Sequence, residues 1–164
     1  MITVSDTSPV HYLILIRQEN ILPRIFGEII IPEPVADEMR HPNAPTEVRE
    51  WIGSPLPWVK IRKASQMYSP AVAGLGKGEI AAIAIAIEEN AAAVLMDDRA
   101  AIREGRRLGL NILTTFAVLE IAEIRRLIDF DEILDKLGQT TFRMPPDSVV
   151  NEYRRRSSER ESQP

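Results

Sequence analysis

The chain has 164 residues, 45% of them hydrophobic and 27% charged, which suits one soluble domain with a sizeable core and excludes a disordered chain. A net charge of −4 supplies no global positive field toward nucleic acid or anionic membrane, although an acidic site would offset a basic rim in that sum. The absence of cysteine removes disulfides, thiol catalysis, Cys-ligated zinc and iron–sulfur clusters, and suits a reducing cytosol.

Ile2 to Ser5 reads as a short strand. Ser8 before Pro9 predicts a helix start, with Ser8 as N-cap and the helix running to about Arg17. The first residues carry Asp6 and no basic leader, which argues against a signal peptide. A short helix over 20–26 leads through Gly27 to a buried-looking strand, Glu28 to Ile31, closed by Pro32 and Pro34. Val35 to Met39 begins another helix. Residues 42–57 carry four prolines around a helical piece, Thr46 to Ile52, and Trp58 to Arg62 alternates like a half-exposed strand. After the glycines at 74, 76 and 78, Glu79 opens a helix of alternating Ile and Ala, apolar nearly all round and therefore central. Its apolar run, Ile80 to Ile87, is far short of the roughly 20 residues of a membrane span. Ala92 to Met96 is a strand, Asp97 and Asp98 cap a charged helix to Leu108, and Gly109 ends it. A strand over 110–113 and helices over about 116–127 and 129–137 follow. From Pro145 the composition predicts a short helix and a solvated, disordered tail, so the expected division is a domain over 1–145 and a terminal piece over 146–164.

Strands alternating with helices argue an α/β protein with a mostly parallel sheet covered on both faces, whose sites collect outside the C-terminal ends of the strands. Asp6 follows the first strand, and Asp97 with Asp98 follow the strand over 92–96. Glu38 and Glu79 stand at or near helix starts. Each acid has a plainer use: a turn for Asp6, a cap or first-turn charge for Asp97, Asp98 and Glu79, a solvated face for Glu38. If they converge, like charges raise one another's pKa, and a hard, oxygen-preferring cation such as Mg²⁺ or Mn²⁺ relieves the repulsion.

Four stretches in order, VSDTSP (4–9), IIIPEPVADEM (29–39), GLGKGEIAAIAIAIE (74–88) and VLMDDRAAIREGRRLGL (94–110), resemble the PIN-domain ribonucleases, the fold of the VapC toxins. The resemblance implies a three-layer α/β/α sandwich and Mg²⁺- or Mn²⁺-dependent hydrolysis of RNA phosphodiesters, as the toxin of a type II toxin–antitoxin pair. It implies a homodimer silenced by an antitoxin in the cytoplasm, with no membrane partner. By the same resemblance Asp6, Glu38, Glu79 and Asp97 are the catalytic acids, and Asp6, Glu79, Asp97 and Asp98 the metal ligands. Ser8 steadies the first acid, and Arg103 meets Asp97 or an RNA phosphate. One departure is visible: Thr114-Thr115-Phe116-Ala117 stands where the branch often has a glycine-containing turn, which affects the rim and not the acids.

The glycines before Glu79 invite a phosphate-loop reading, but no Ser or Thr follows Lys77 and the spacing is wrong. His11 and His41 lack a second ligand at histidine-motif spacing and read as packing or surface residues. Two other functions stay open: a non-catalytic binding module on the same fold, and a metal-dependent phosphoesterase acting on small substrates.

Overall fold

A computed structural model describes residues 1–54 and 56–164. Of the four prolines between 42 and 57, Pro55 lies outside the described residues. The described chain packs as two compact units, Met1–Thr115 and Phe116–Pro164.

The first unit is a five-stranded parallel sheet in the order β3-β2-β1-β4-β5. Its strands are β1 (Ile2–Ser5), β2 (Glu28–Pro32), β3 (Val59–Arg62), β4 (Ala93–Leu95) and β5 (Ile112–Leu113). Helices flank it in the α/β/α manner expected: α1 (Thr7–Leu15), α2 (Ile21–Phe26), α3 (Glu33–Arg40), α4 (Thr46–Gly53), α5 (Lys77–Glu88) and α6 (Arg99–Arg107). The central strands are apolar almost throughout because both faces are covered. Val4 lies opposite Ile30 on one side and Val94 on the other, and all three join one core cluster with Ile83, Ile85, Ala86 and Met96. The all-round apolar pattern of α5 has the expected result, with Ala81 to Ala86 buried. Each fully buried Ile there contributes about 2 kcal/mol.

Helix α1 starts earlier than the Ser-Pro signal predicts. Asp6, in extended backbone (φ −73°, ψ 174°), occupies its cap position without a side-chain cap bond. Ser8 falls inside the first turn, and its hydroxyl serves another carboxylate, described below.

The second unit carries the rest of α7 (Thr115–Ile124), then α8 (Phe130–Gly138) and α9 (Asp147–Glu161). The arginine-rich terminus, expected as a solvated tail, is helical to Glu161. Its charges have partners that composition conceals. Arg154 pairs with Asp131 and Asp135 of α8, and Arg160 with Glu120 and Glu123 of α7. Tyr153 adds an edge-on contact to Phe116 at 5.2 Å between ring centres. Among the described residues no helix is long and apolar enough to cross a membrane.

Candidate functional site

Strand order reverses between β1 and β4: β1 is followed by β2 on one side, and β4 by β5 on the other. That switch point opens a crevice at the carboxyl ends of the strands. Ser5 and Leu95 are paired there, and the Asp6 N–H donates to the Leu95 carbonyl at 2.9 Å. Asp6 and Asp97 therefore leave neighbouring strand ends.

A cleft of about 310 Å³ lies at this edge, with Asp6, Glu38 and Glu79 in its lining beside Ser8, His11 and Tyr12. Helix α3 delivers Glu38, and α5 delivers Glu79 as the third residue after its cap, Gly76. Each carboxylate is tethered. The Thr7 hydroxyl donates to Glu38 Oε2 at 2.5 Å. The Gly76 N–H donates to Glu79 Oε2 at 2.5 Å, so Glu79 also closes the first turn of its helix. Asp97 accepts from the Ser8 hydroxyl at 2.9 Å and, through both oxygens, from the Thr115 N–H (2.8 Å) and hydroxyl (2.7 Å). Asp98 caps α6, its Oδ1 accepting from Ala101 N–H at 2.9 Å.

The electrostatics bind the set together. Asp6 is only 5% exposed, and burial pushes its carboxyl up to about 7, with Glu79, Glu38 and Asp97 adding repulsion against a lowering by the Thr7 N–H. Burial also raises Glu79, opposed by the Gly76 N–H and assisted by the charges of Asp98 and Glu38. Asp6, Glu38, Glu79, Asp97 and Asp98 thus share one field. Gly78 makes the approach possible: a Cβ there would meet Asp6 Oδ1 at 3.1 Å, Val35 Cγ2 at 3.1 Å and Glu38 Oε1 at 3.2 Å. His11 also faces the cleft, half-buried, and burial lowers its pKa.

The donors are all oxygens, the chemistry of a hard divalent cation, and their mutual repulsion is what such a cation relieves. In donor type and charge the residues fit that group. Their spacing is open: among the described residues, no three His, Cys, Asp or Glu side chains are drawn in as a closed coordination shell. The tethers on Glu38, Glu79 and Asp97 hold these carboxylates at their separate anchors.

Asp6, Glu38 and Glu79 line one cleft, and Asp97 stands close enough to bias Asp6. Ser8 is in place but steadies Asp97, whereas the expectation was the first acid. Arg103 is exposed on α6, and Asp97 is held by Ser8 and Thr115. Thr7, Gly78 and Thr115 were not anticipated. Thr115 was legible in principle, since the rule that polar residues matter just past a strand's carboxyl end applies to β5 as it does to β1 and β4.

Residues 2–159 match the family described as DUF3368: PIN domain. The chain belongs to the PIN-domain family, a nuclease-type fold. Among solved structures it is similar to a PilT N-terminus domain protein, SSO1118, from the hyperthermophilic archaeon Sulfolobus solfataricus P2. The TM-score is 0.50 and the identity 18%, over 88% of this chain and 100% of that one, a likeness of fold. No curated protein matches the sequence.

Proposed function

We propose that this protein is a divalent-metal-dependent endoribonuclease, the toxin of a type II toxin–antitoxin pair, working in the cytoplasm as a homodimer. The observation that carries the nuclease reading is Asp6, a carboxyl buried at the switch point and raised to about 7 among three further acids. A fold has no packing use for such a group. Its presence favours a site that awaits positive charge. The toxin assignment rests on the resemblance of the four ordered motifs to the VapC toxins.

Mg²⁺ or Mn²⁺ would be held by Asp6, Glu79 and Asp97, with Glu38 and Asp98 beside them, and would supply positive charge to the attacked phosphate and the attacking water. The chain's own residues prepare that position. Ser8 and Thr115 orient Asp97, the Gly76 N–H holds Glu79, and Thr7 holds Glu38. Burial holds the Asp6 carboxyl near 7, so a cation bound there would favour its ionised form. RNA is favoured over a small phosphate ester by α6, which starts beside Asp98. It exposes Arg99, Arg103 and Arg106 at i, i+4 and i+7, one helix face of positive charge for a phosphodiester backbone. A non-catalytic binding module is the second reading, and the open spacing of the carboxylates favours it.

The test is cleavage of a mixed structured RNA pool by the full chain in Mg²⁺, Mn²⁺ and EDTA, beside Asp6→Asn purified identically. Metal-dependent cuts lost in the variant are expected. Cuts that persist in Asp6→Asn or in EDTA would remove the acids from the mechanism, and an intact, metal-binding protein that never cuts would leave the binding module.

A further inference from the structure

Glu104 is the most buried acid among the described residues, 1% exposed, yet it lies on α6 outside the cleft lining. Its carboxylate accepts from the Tyr68 hydroxyl in a short bond and from the Ala71 N–H at 2.9 Å. It also accepts both prongs of Arg107, Nε at 2.9 Å and Nη2 at 3.0 Å. This satisfied network keeps the carboxyl ionised, at about 2. Arg107 stays exposed, but its guanidinium is engaged by this carboxylate.

Tyr68 and Ala71 belong to the segment 63–76, which joins β3 to α5 without regular secondary structure. A loop of that length within a compact unit is uncommon and is usually functional. Three carboxylates take hold of it in turn. Glu88 accepts from the N–H groups of Ser65 (3.1 Å) and Gln66 (2.8 Å). Glu104 takes Tyr68 and Ala71. Glu79 takes Gly76, where the segment ends. Ala64, Tyr68 and Leu75 of the same segment pack on the core cluster.

Gly76 is a wall of the cleft, the cap of α5 and the donor to Glu79 at once. Residues 72–75 link it to Ala71, and Leu75 among them packs on the core cluster. We infer that Glu104 is a positioning residue for the cleft: through Tyr68 and Ala71 it sets the segment 63–76, and so the place of Gly76 and of the Glu79 carboxylate. The inference rests on the reading of the cleft as a cation-binding nuclease site.

Hydrogen exchange of the metal-free full chain tests it, with Mn²⁺ affinity by calorimetry as the second readout, on Tyr68→Phe, Glu104→Gln and Glu104→Ala. Tyr68→Phe deletes one hydroxyl and is the variant that keeps its fold. It is expected to lower protection of the Ala71 and Gly76 amides about 10-fold, with β1 and β4 unchanged, and to weaken Mn²⁺ about 10-fold, as outer-shell losses do. Glu104→Gln keeps an acceptor for Tyr68 and Ala71, so its Gly76 amide stays closer to wild type than that of Glu104→Ala. Wild-type protection at Gly76 in both Tyr68→Phe and Glu104→Ala would overturn the inference, as would a lower melting temperature with Mn²⁺ affinity intact. If the wild-type chain binds no Mn²⁺, the nuclease reading fails, and Gly76 exchange by itself decides whether Glu104 sets this wall.

Discussion

Asp6 sits where burial and charge both oppose ionisation, and this gives a pH signature. Its folded-state pKa, about 7, stands above the ordinary 3.8. Between those values the native chain binds a proton that the unfolded chain has released, so metal-free stability falls as pH rises from about 4 to about 7. The loss is complete above that window and amounts to about 4 kcal/mol at most. Asp6→Asn removes the titration. In EDTA, urea unfolding should show the variant gaining on wild type by about 2–4 kcal/mol between pH 4 and pH 8, and a gap that stays constant with pH would contradict the buried, repelled carboxyl. Asp6 and Glu79 were legible as candidates because each stands where a strand ends or a helix begins, whereas Glu38, in the last turn of α3, was legible only through the resemblance. Thr115 was not. Its bonds to Asp97 span 18 positions of sequence, and a Thr-Thr pair there reads simply as a rim. Ser8 shows the same limit: Ser-Pro is a fair cap signal, but a hydroxyl answers to whichever carboxylate the fold brings near.

At the level of elements, α6 divides its arginines by partner. Arg107 pairs with buried Glu104, while among the described residues Arg99, Arg103 and Arg106 make no ion pair on that helix, and all four stay exposed. If those three track an RNA backbone, Arg103→Ala should weaken RNA binding across sequences and reduce the slope of log affinity against log salt by about 0.7. Binding titrations between 50 and 200 mM salt measure it, with an unchanged slope counting against the α6 track. Most elements could be read from periodicity: the apolar α5, the strand Glu28–Pro32 and the acid-ended β1 and β4 each declare themselves locally. The terminal helix did not. Arg154 and Arg160 look like a solvated tail until their partners on α7 and α8, far back in the chain, are in view. Ion pairs across long separations leave no trace in local composition.

For the whole molecule, every acid of the candidate site lies in the first compact unit, Met1–Thr115, while the family match runs from residue 2 to 159 across both. The fold class was legible because strands alternating with helices admit few arrangements. The state of the site was not, since sequence cannot say whether five tethered carboxylates sit at coordination spacing. If Asp6, Glu79 and Asp97, with Glu38 and Asp98, form one divalent-cation site as proposed, a thermal melt with and without MnCl₂ at pH 7.5 shows it most directly. Binding only to the folded state contributes about 2.7 kcal/mol at a hundredfold excess over Kd, which raises Tm by about 5–10 °C. The rise should vanish in Asp6→Asn. A wild-type Tm that stays flat up to millimolar Mn²⁺ would contradict the convergence of these acids on a cation.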